Sequence, residues 1–206
     1  MKLMIAIPTM ETVPVVFMQS LIALCQHLDA EKVPYKVVVE AGTLIYMARD
    51  VLACKAVNGE YTHVLWLDSD MVFTDHIFED LLETGKSFVS GIAHGRRSPF
   101  LSCLFKDIDL SHLTRWTLDE YPNDTFEVEG CGLACALTKV DILNNCLEQY
   151  KTCFTPLPQY GEDLSFCKRV KAQGVRIWAE PTVRLGHVAH LTVYPEDAER
   201  YKSVIH

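Results

Sequence analysis

The feature that most constrains this chain is an alternation. Over residues 1–92, short runs of β-branched and apolar residues take turns with segments of helical period. Strands are predicted at Leu3 to Pro8, Tyr35 to Glu40, His63 to Leu67 and Ser87 to Ile92. Helices are predicted between them. Val15 to Leu28 places Phe17, Leu21, Leu24, Cys25 and Leu28 on one face, Leu44 to Val57 ends at Asn58-Gly59, and Asp75 to Glu83 has Thr74 as N-cap and Gly85 beyond its end. A strand-helix-strand series closes by right-handed crossovers into a parallel sheet with helices on both faces. In such open sheets, ligands bind beyond the carboxyl ends of the strands. Here those ends are Pro8-Thr9, Glu40-Ala41-Gly42 and Asp68-Ser69-Asp70.

The second half is less regular. His94 to Phe100, HGRRSPF, is a basic loop, and residues 107–125 are polar and read mostly as loop. Phe126 to Lys139 has strand-like runs around Gly130-Cys131-Gly132. Asp141 to Gln149 is predicted helical, as is Glu162 to Gln173 with Gly174 as its C-cap, and short strands follow from Val175. With no internal repeat, low-complexity tract or linker, the chain reads as one mixed α/β domain over 1–206.

Charge narrows the function. The formal net charge of -8 disfavours a surface that neutralises nucleic-acid phosphates or rests on anionic lipid. No window offers a membrane span, and the N-terminal apolar run is too short for a secretory signal, so a cytoplasmic location is expected. The eight cysteines lack a C-x-x-C pair and lie mostly in apolar runs, which reads as buried thiols in a reducing compartment. Nothing in the sequence speaks to oligomeric state.

Three features carry chemistry. Asp68 and Asp70 directly follow the apolar run HVLWL. In extended backbone, residues two apart share a side, and two carboxylates so placed repel unless a cation sits with them. Alone, the pair reads more readily as turn residues, solvated or capping the helix that follows. Glu162 and Asp163 open a helix, where acids suit the helix dipole; a rigid helix end also suits a general base. His187, in RLGHVAH, is a loop histidine by itself or a metal ligand completing the acid pair, with His190 its rival.

In that order, the acid-x-acid after a strand, GEDLSFCKRVKAQGVRIW and LGH resemble the GT-A glycosyltransferases, in particular those similar to glycosyltransferase family 2. AIPTM, GTLIYMARD, VSGIAHGRR and VEGCGLACALTK resemble intervening segments of that family. The resemblance implies a single Rossmann-like domain, with a nucleotide-binding half at 1–92 and an acceptor and catalytic half at 93–206. It implies Mn2+ or Mg2+ on Asp70 and His187, with Asp68 touching the ribose or the metal through water. Ser69, Thr9, Glu40 and Arg49 would lie near the nucleotide, and Arg96 or Arg97 near phosphate or acceptor. Asp163 would be the base of an inverting transfer, with Glu162 positioning it or binding the acceptor, and its distance in sequence from Asp70 is consistent with opposite walls of one cleft. The donor would be a nucleotide-diphosphate sugar and the acceptor an unspecified hydroxyl on a glycan or small molecule. A metal-dependent nucleotidyltransferase or phosphoesterase, or a non-catalytic nucleotide-sugar-binding module, are the alternatives. No G-x-G-x-x-G follows the first strand, which disfavours dinucleotide-dependent oxidoreduction.

Overall fold

The computed structural model describes residues 1–189. The alternation folds as β1 (Leu3–Thr9), α1 (Val15–Ala30), β2 (Tyr35–Ala41), α2 (Ile45–Asn58), β3 (His63–Leu67), β4 (Met71–Val72), α3 (Ile77–Glu83) and β5 (Phe88–Ile92). Three short strands follow, β6 (Leu104–Asp107), β7 (Thr114–Arg115) and β8 (Phe126–Val128), then β9 (Gly130–Cys131), β10 (Cys135–Lys139), α4 (Val140–Tyr150), α5 (Glu162–Ala172), β11 (Ile177–Arg184) and β12 (Gly186–His187).

Seven strands form the central sheet in the order β2-β1-β3-β10-β5-β11-β8. All run one way except β10 and β8, which are antiparallel to their neighbours. β1 is buried at every residue because helices cover both faces of the sheet. Its alternation sorts the core: Leu3, Ile5 and Ile7 pack with Phe17, Leu24 and Phe78, whereas Met4 and Ala6 pack with Leu52, Trp66, Phe154 and Phe166. Trp66 on β3 is fully buried and donates its indole N–H to Thr138 Oγ1 on β10 at 3.0 Å, so the polar edge of the largest core side chain is satisfied.

The structure departs from expectation in four places. First, α3 starts at Ile77 with His76 as N-cap, and neither Thr74 nor any other side chain caps it. Phe73 instead donates its backbone N–H to Ser20 Oγ and packs edge-on against Phe17, so the connection stays stretched toward α1. Second, 107–125 is not all loop: β6 pairs with β7 and β9 in a small three-stranded sheet, and a single turn at Leu118–Glu120 is closed by a capping box between Thr117 and Glu120. Third, the run around Gly130-Cys131-Gly132 serves two sheets, with β8 at the edge of the large one, β10 near its centre and β9 in the small one. Fourth, the thiols are all free, but Cys54 is exposed and Cys25 and Cys103 are half-buried. Cys131 and Cys135 do not form a pair; Cys131 exchanges backbone contacts with Cys167 Sγ.

Candidate functional site

The sheet order places the site. From β1 the chain crosses to β2 on one side and then to β3 on the other, so the crevice between the carboxyl ends of β1 and β3 is a topological switch point. A cavity of about 460 Å³ opens there. Its walls come from the loop after β1 (Pro8 to Pro14), from Ile45 and Arg49 on α2, from Asp68, Ser69 and Asp70, from Arg96, and from Glu162 and Asp163.

Asp68, Ser69 and Asp70 do not continue β3 as an extended segment. They form a turn in which Met71 N–H donates to Asp68 O at 3.3 Å, and Asp68 N–H is anchored on Ala134 O beside β10. The spacing rule for extended backbone therefore does not apply to this segment, although both acids line the same cavity. Each serves a different cluster.

Asp68 belongs to a buried ionic cluster. Arg49 Nη2 donates to Asp68 Oδ1 at 2.8 Å and lies 3.7 Å from Asp163 Oδ1. Arg49 is 1% exposed, and its Nε and Nη1 have no hydrogen-bond partner, nor does Asp163 Oδ1. Asp163 therefore stands beside Asp68, sharing its guanidinium, and not on an opposite wall from it. Burial pushes the Asp163 carboxyl up to about 7; Arg49 opposes the rise, while Glu162 and Asp68 add to it. Burial likewise raises Asp68, with Arg49 opposing and Asp70 adding. Arg49 is drawn down by burial, but Asp68, Asp163 and Glu162 outweigh this and hold it firmly protonated.

Asp70 takes different partners. Its Oδ2 accepts from Arg96 Nη1 at 2.6 Å and lies 3.2 Å from His187 Nε2. His187 reaches it because β12 pairs with β4, aligning His187 with Met71, and Val188 N–H donates to Asp70 O at 2.9 Å. His187 Nδ1 lies 2.8 Å from the carbonyl oxygen of His94. A carbonyl only accepts, so Nδ1 carries a proton. In the neutral ring, Nε2 then presents a lone pair to a carboxylate oxygen. That is the orientation of a histidine held by a backbone carbonyl for a cation. His190 lies outside the described residues.

The helix start Gly161-Glu162-Asp163 is held by groups that sequence patterning did not single out. Ser165 Oγ donates to Gly161 O and accepts from Leu157 N–H. The preceding loop is clamped from two sides. Asp50 Oδ1 accepts from Cys153 and Phe154 N–H, and Arg169 donates to Cys153 O and Thr155 O.

The other residues named from sequence are not all gathered. Thr9 is buried and lines the cavity, as does Ser69. Glu40 is outside it, its carboxylate bound by Lys55 Nζ at 2.6 Å. Arg96 lines both the cavity and an adjoining hollow of about 500 Å³, whereas Arg97 lines only that hollow, with Arg115 and His187.

The sheet order, the helices on both faces and the acid turn at the switch point together define a GT-A-like α/β fold. In sequence, no family model matches the chain and no curated protein aligns with it. Its fold is similar to that in the crystal structure of A197 from STIV, with a TM-score of 0.59 at 18% identity over 91% of this chain and 86% of that one. It is also similar to GalNAc-T7 in a crystal structure with UDP, GalNAc and Mn2+, with a TM-score of 0.56 at 10% identity over 92% of this chain. The match spans 44% of the GalNAc-T7 chain, under half its length. At these identities the likeness is one of fold. Among the described residues, no helix is long and apolar enough to cross a membrane.

Proposed function

We propose that the chain is a glycosyltransferase that moves a sugar from a nucleoside-diphosphate donor to an acceptor hydroxyl, with help from a divalent cation. One observation carries the reading. The cavity at the topological switch point is lined both by Asp70, whose Oδ2 lies 3.2 Å from His187 Nε2 in the adjoining hollow, and by Asp163, a carboxyl pushed up to about 7. The resemblance to family 2 in sequence motifs supports the same assignment.

Asp70 and His187 suit a cation: one carboxylate oxygen and one imidazole nitrogen face each other, a mixed set that favours Mn2+ over Mg2+. Bound there, the ion would supply positive charge to the diphosphate as it departs. The remaining work belongs to the chain's own groups. The loop from Pro8 to Pro14 takes the nucleoside end. Arg96, now on Asp70, supplies a further cation to a dianionic donor in a protein of net charge -8. Asp163 accepts the proton of the acceptor hydroxyl, and a carboxyl poised near neutrality suits that task. Arg49 fixes its direction. A single displacement by this route inverts the anomeric centre.

The test is a thermal-shift panel with UDP, GDP, CDP and TDP, each with and without Mn2+. One nucleotide is expected to raise the melting temperature only with Mn2+, and Asp70→Ala is expected to erase that shift. No response of the native chain to any nucleotide, or an unaltered response in Asp70→Ala, would overturn the reading.

A further inference from the structure

A second constellation lies away from the cavity, on the seam between α1 and the connection that leads into α3. His27 occupies the last turn of α1, and Asp75 and His76 immediately precede α3. One ligand atom from each of the three comes within 4.8 Å of the other two. The imidazoles of His27 and His76 meet edge-on, with centroids 4.4 Å apart. Glu79 adds a fourth group against the same ring: its Oε1 is 3.4 Å from His27 Nε2. That approach lacks hydrogen-bond geometry, and both Glu79 oxygens are buried without a hydrogen bond.

These facts conflict with an ordinary surface cluster. A buried carboxylate oxygen without a donor is costly, and neither of the two imidazoles pressed together beside it donates to it as they stand. A divalent ion removes the conflict. We propose that His27, Asp75 and His76, with Glu79 against the His27 ring, form a zinc-class site that fastens α1 to the segment following the Asp68-Ser69-Asp70 turn.

The donor set points to the metal class. Two imidazole nitrogens with carboxylate oxygen suit Zn2+ and its borderline neighbours, whereas Mg2+ and Ca2+ prefer oxygen throughout. In tetrahedral zinc with bonds of about 2.0–2.1 Å, ligand atoms lie roughly 3.3 Å apart; His76 Nε2 and Asp75 Oδ1 already stand 3.3 Å apart and His27 Nε2 and Glu79 Oε1 3.4 Å, in a cluster whose three ligand atoms lie within 4.8 Å of one another. The His76 side chain is 60% exposed and that of Asp75 44%, so both are free to turn inward, while His27 is held at 19%. Exposure on one side leaves a path for the ion and a position for water. The placement has a structural consequence too. The same seam carries the Phe73–Ser20 hydrogen bond and the Phe17–Phe73 contact, so an ion there would brace the connection whose other end is the acid turn.

The test uses Zn2+ alone, titrated calorimetrically into the metal-stripped full chain, with Co2+ absorption as a reporter of coordination. The native chain and Asp70→Ala are each expected to bind one equivalent at this site. H27Q/H76Q is expected to bind it at least about 100-fold more weakly, since losing ligands exceeds the cost of losing an outer partner. His76→Gln alone guards against misfolding, because its side chain projects to solvent: its melt in EDTA is expected to match the native chain while zinc binding falls. An equivalent retained by both histidine variants, its loss in Asp70→Ala, or no zinc uptake by the native chain would overturn the proposal.

Discussion

Replacing Asp163 by Asn is expected to stabilise the protein while abolishing transfer. The carboxyl titrates near 3.8 when unfolded and at about 7 when folded, because burial penalises its ionised form more than Arg49 repays. Between those values the folded chain holds more proton than the unfolded one, so stability falls as pH rises. The contribution of the neutral carboxyl is therefore intact below about pH 4 and lost by the time pH passes about 7. At ~1.36 kcal/mol per unit, the full loss is on the order of 4 kcal/mol, and the residual solvent contact of the side chain brings it to roughly 2–4. Asn is neutral throughout and close in shape to the protonated carboxyl. The variant should match the native chain at pH 4 and melt roughly 5–15 °C higher at pH 8, given about 2–4 °C per kcal/mol for a domain of this size. Calorimetric melts of both proteins across that range make the comparison. A difference that does not change with pH, or a less stable variant at pH 8, would show that the carboxyl is not held neutral by its surroundings.

Two further outcomes follow from the same geometry. Arg49→Met removes the guanidinium shared by Asp68 and Asp163 and leaves both carboxylates buried without a counter-charge; urea unfolding should report a loss of about 3–5 kcal/mol at pH 8, smaller at pH 5, and a loss below about 1 kcal/mol would contradict the cluster. Gly91→Ala would drive its Cβ to 2.7 Å from Val183 Cγ1 and 3.0 Å from Val183 O, so β5 and β11 must separate; about 1–3 kcal/mol of lost stability in thermal melts is expected, and a neutral variant would refute the close packing.

Much of this arrangement is visible in the chain itself, and the reason is local. VLWL, from Val64 to Leu67, is uniformly apolar because β3 is covered on both faces, and its buried length fixes where Asp68 begins. Gly161-Glu162-Asp163 announces a helix start because acids suit that end. The partnering of those acids is not local. A spacing rule for extended backbone cannot reveal that Asp68 and Asp70 sit in a turn and take different partners, since Asp68 is anchored on Ala134 O, far along the chain. Arg49 had a readable signal: with Leu52, Ala53 and Ala56 it occupies the buried stripe of α2, and a cation on such a stripe demands buried acids. Asp50 and Arg169 left none, because what they bind is the backbone of a loop. Glu40 matched a motif position, yet Lys55 lies one helix away and takes its carboxylate.

The antiparallel insertion of β10 has a consequence for how the molecule is assembled. β3 and β5 are near in sequence but do not touch as neighbours in the sheet; residues 135–139 must arrive between them first. Trp66 waits for Thr138, 72 positions later, before its indole is satisfied. The early strands thus cannot complete the sheet as they emerge, and β3 presents an open hydrogen-bonding edge until most of the chain has been made. Joining β3 to β5 through one later strand makes this a fold of long-range contacts, in which the acid turn acquires its anchor on Ala134 at the same step that bridges the two.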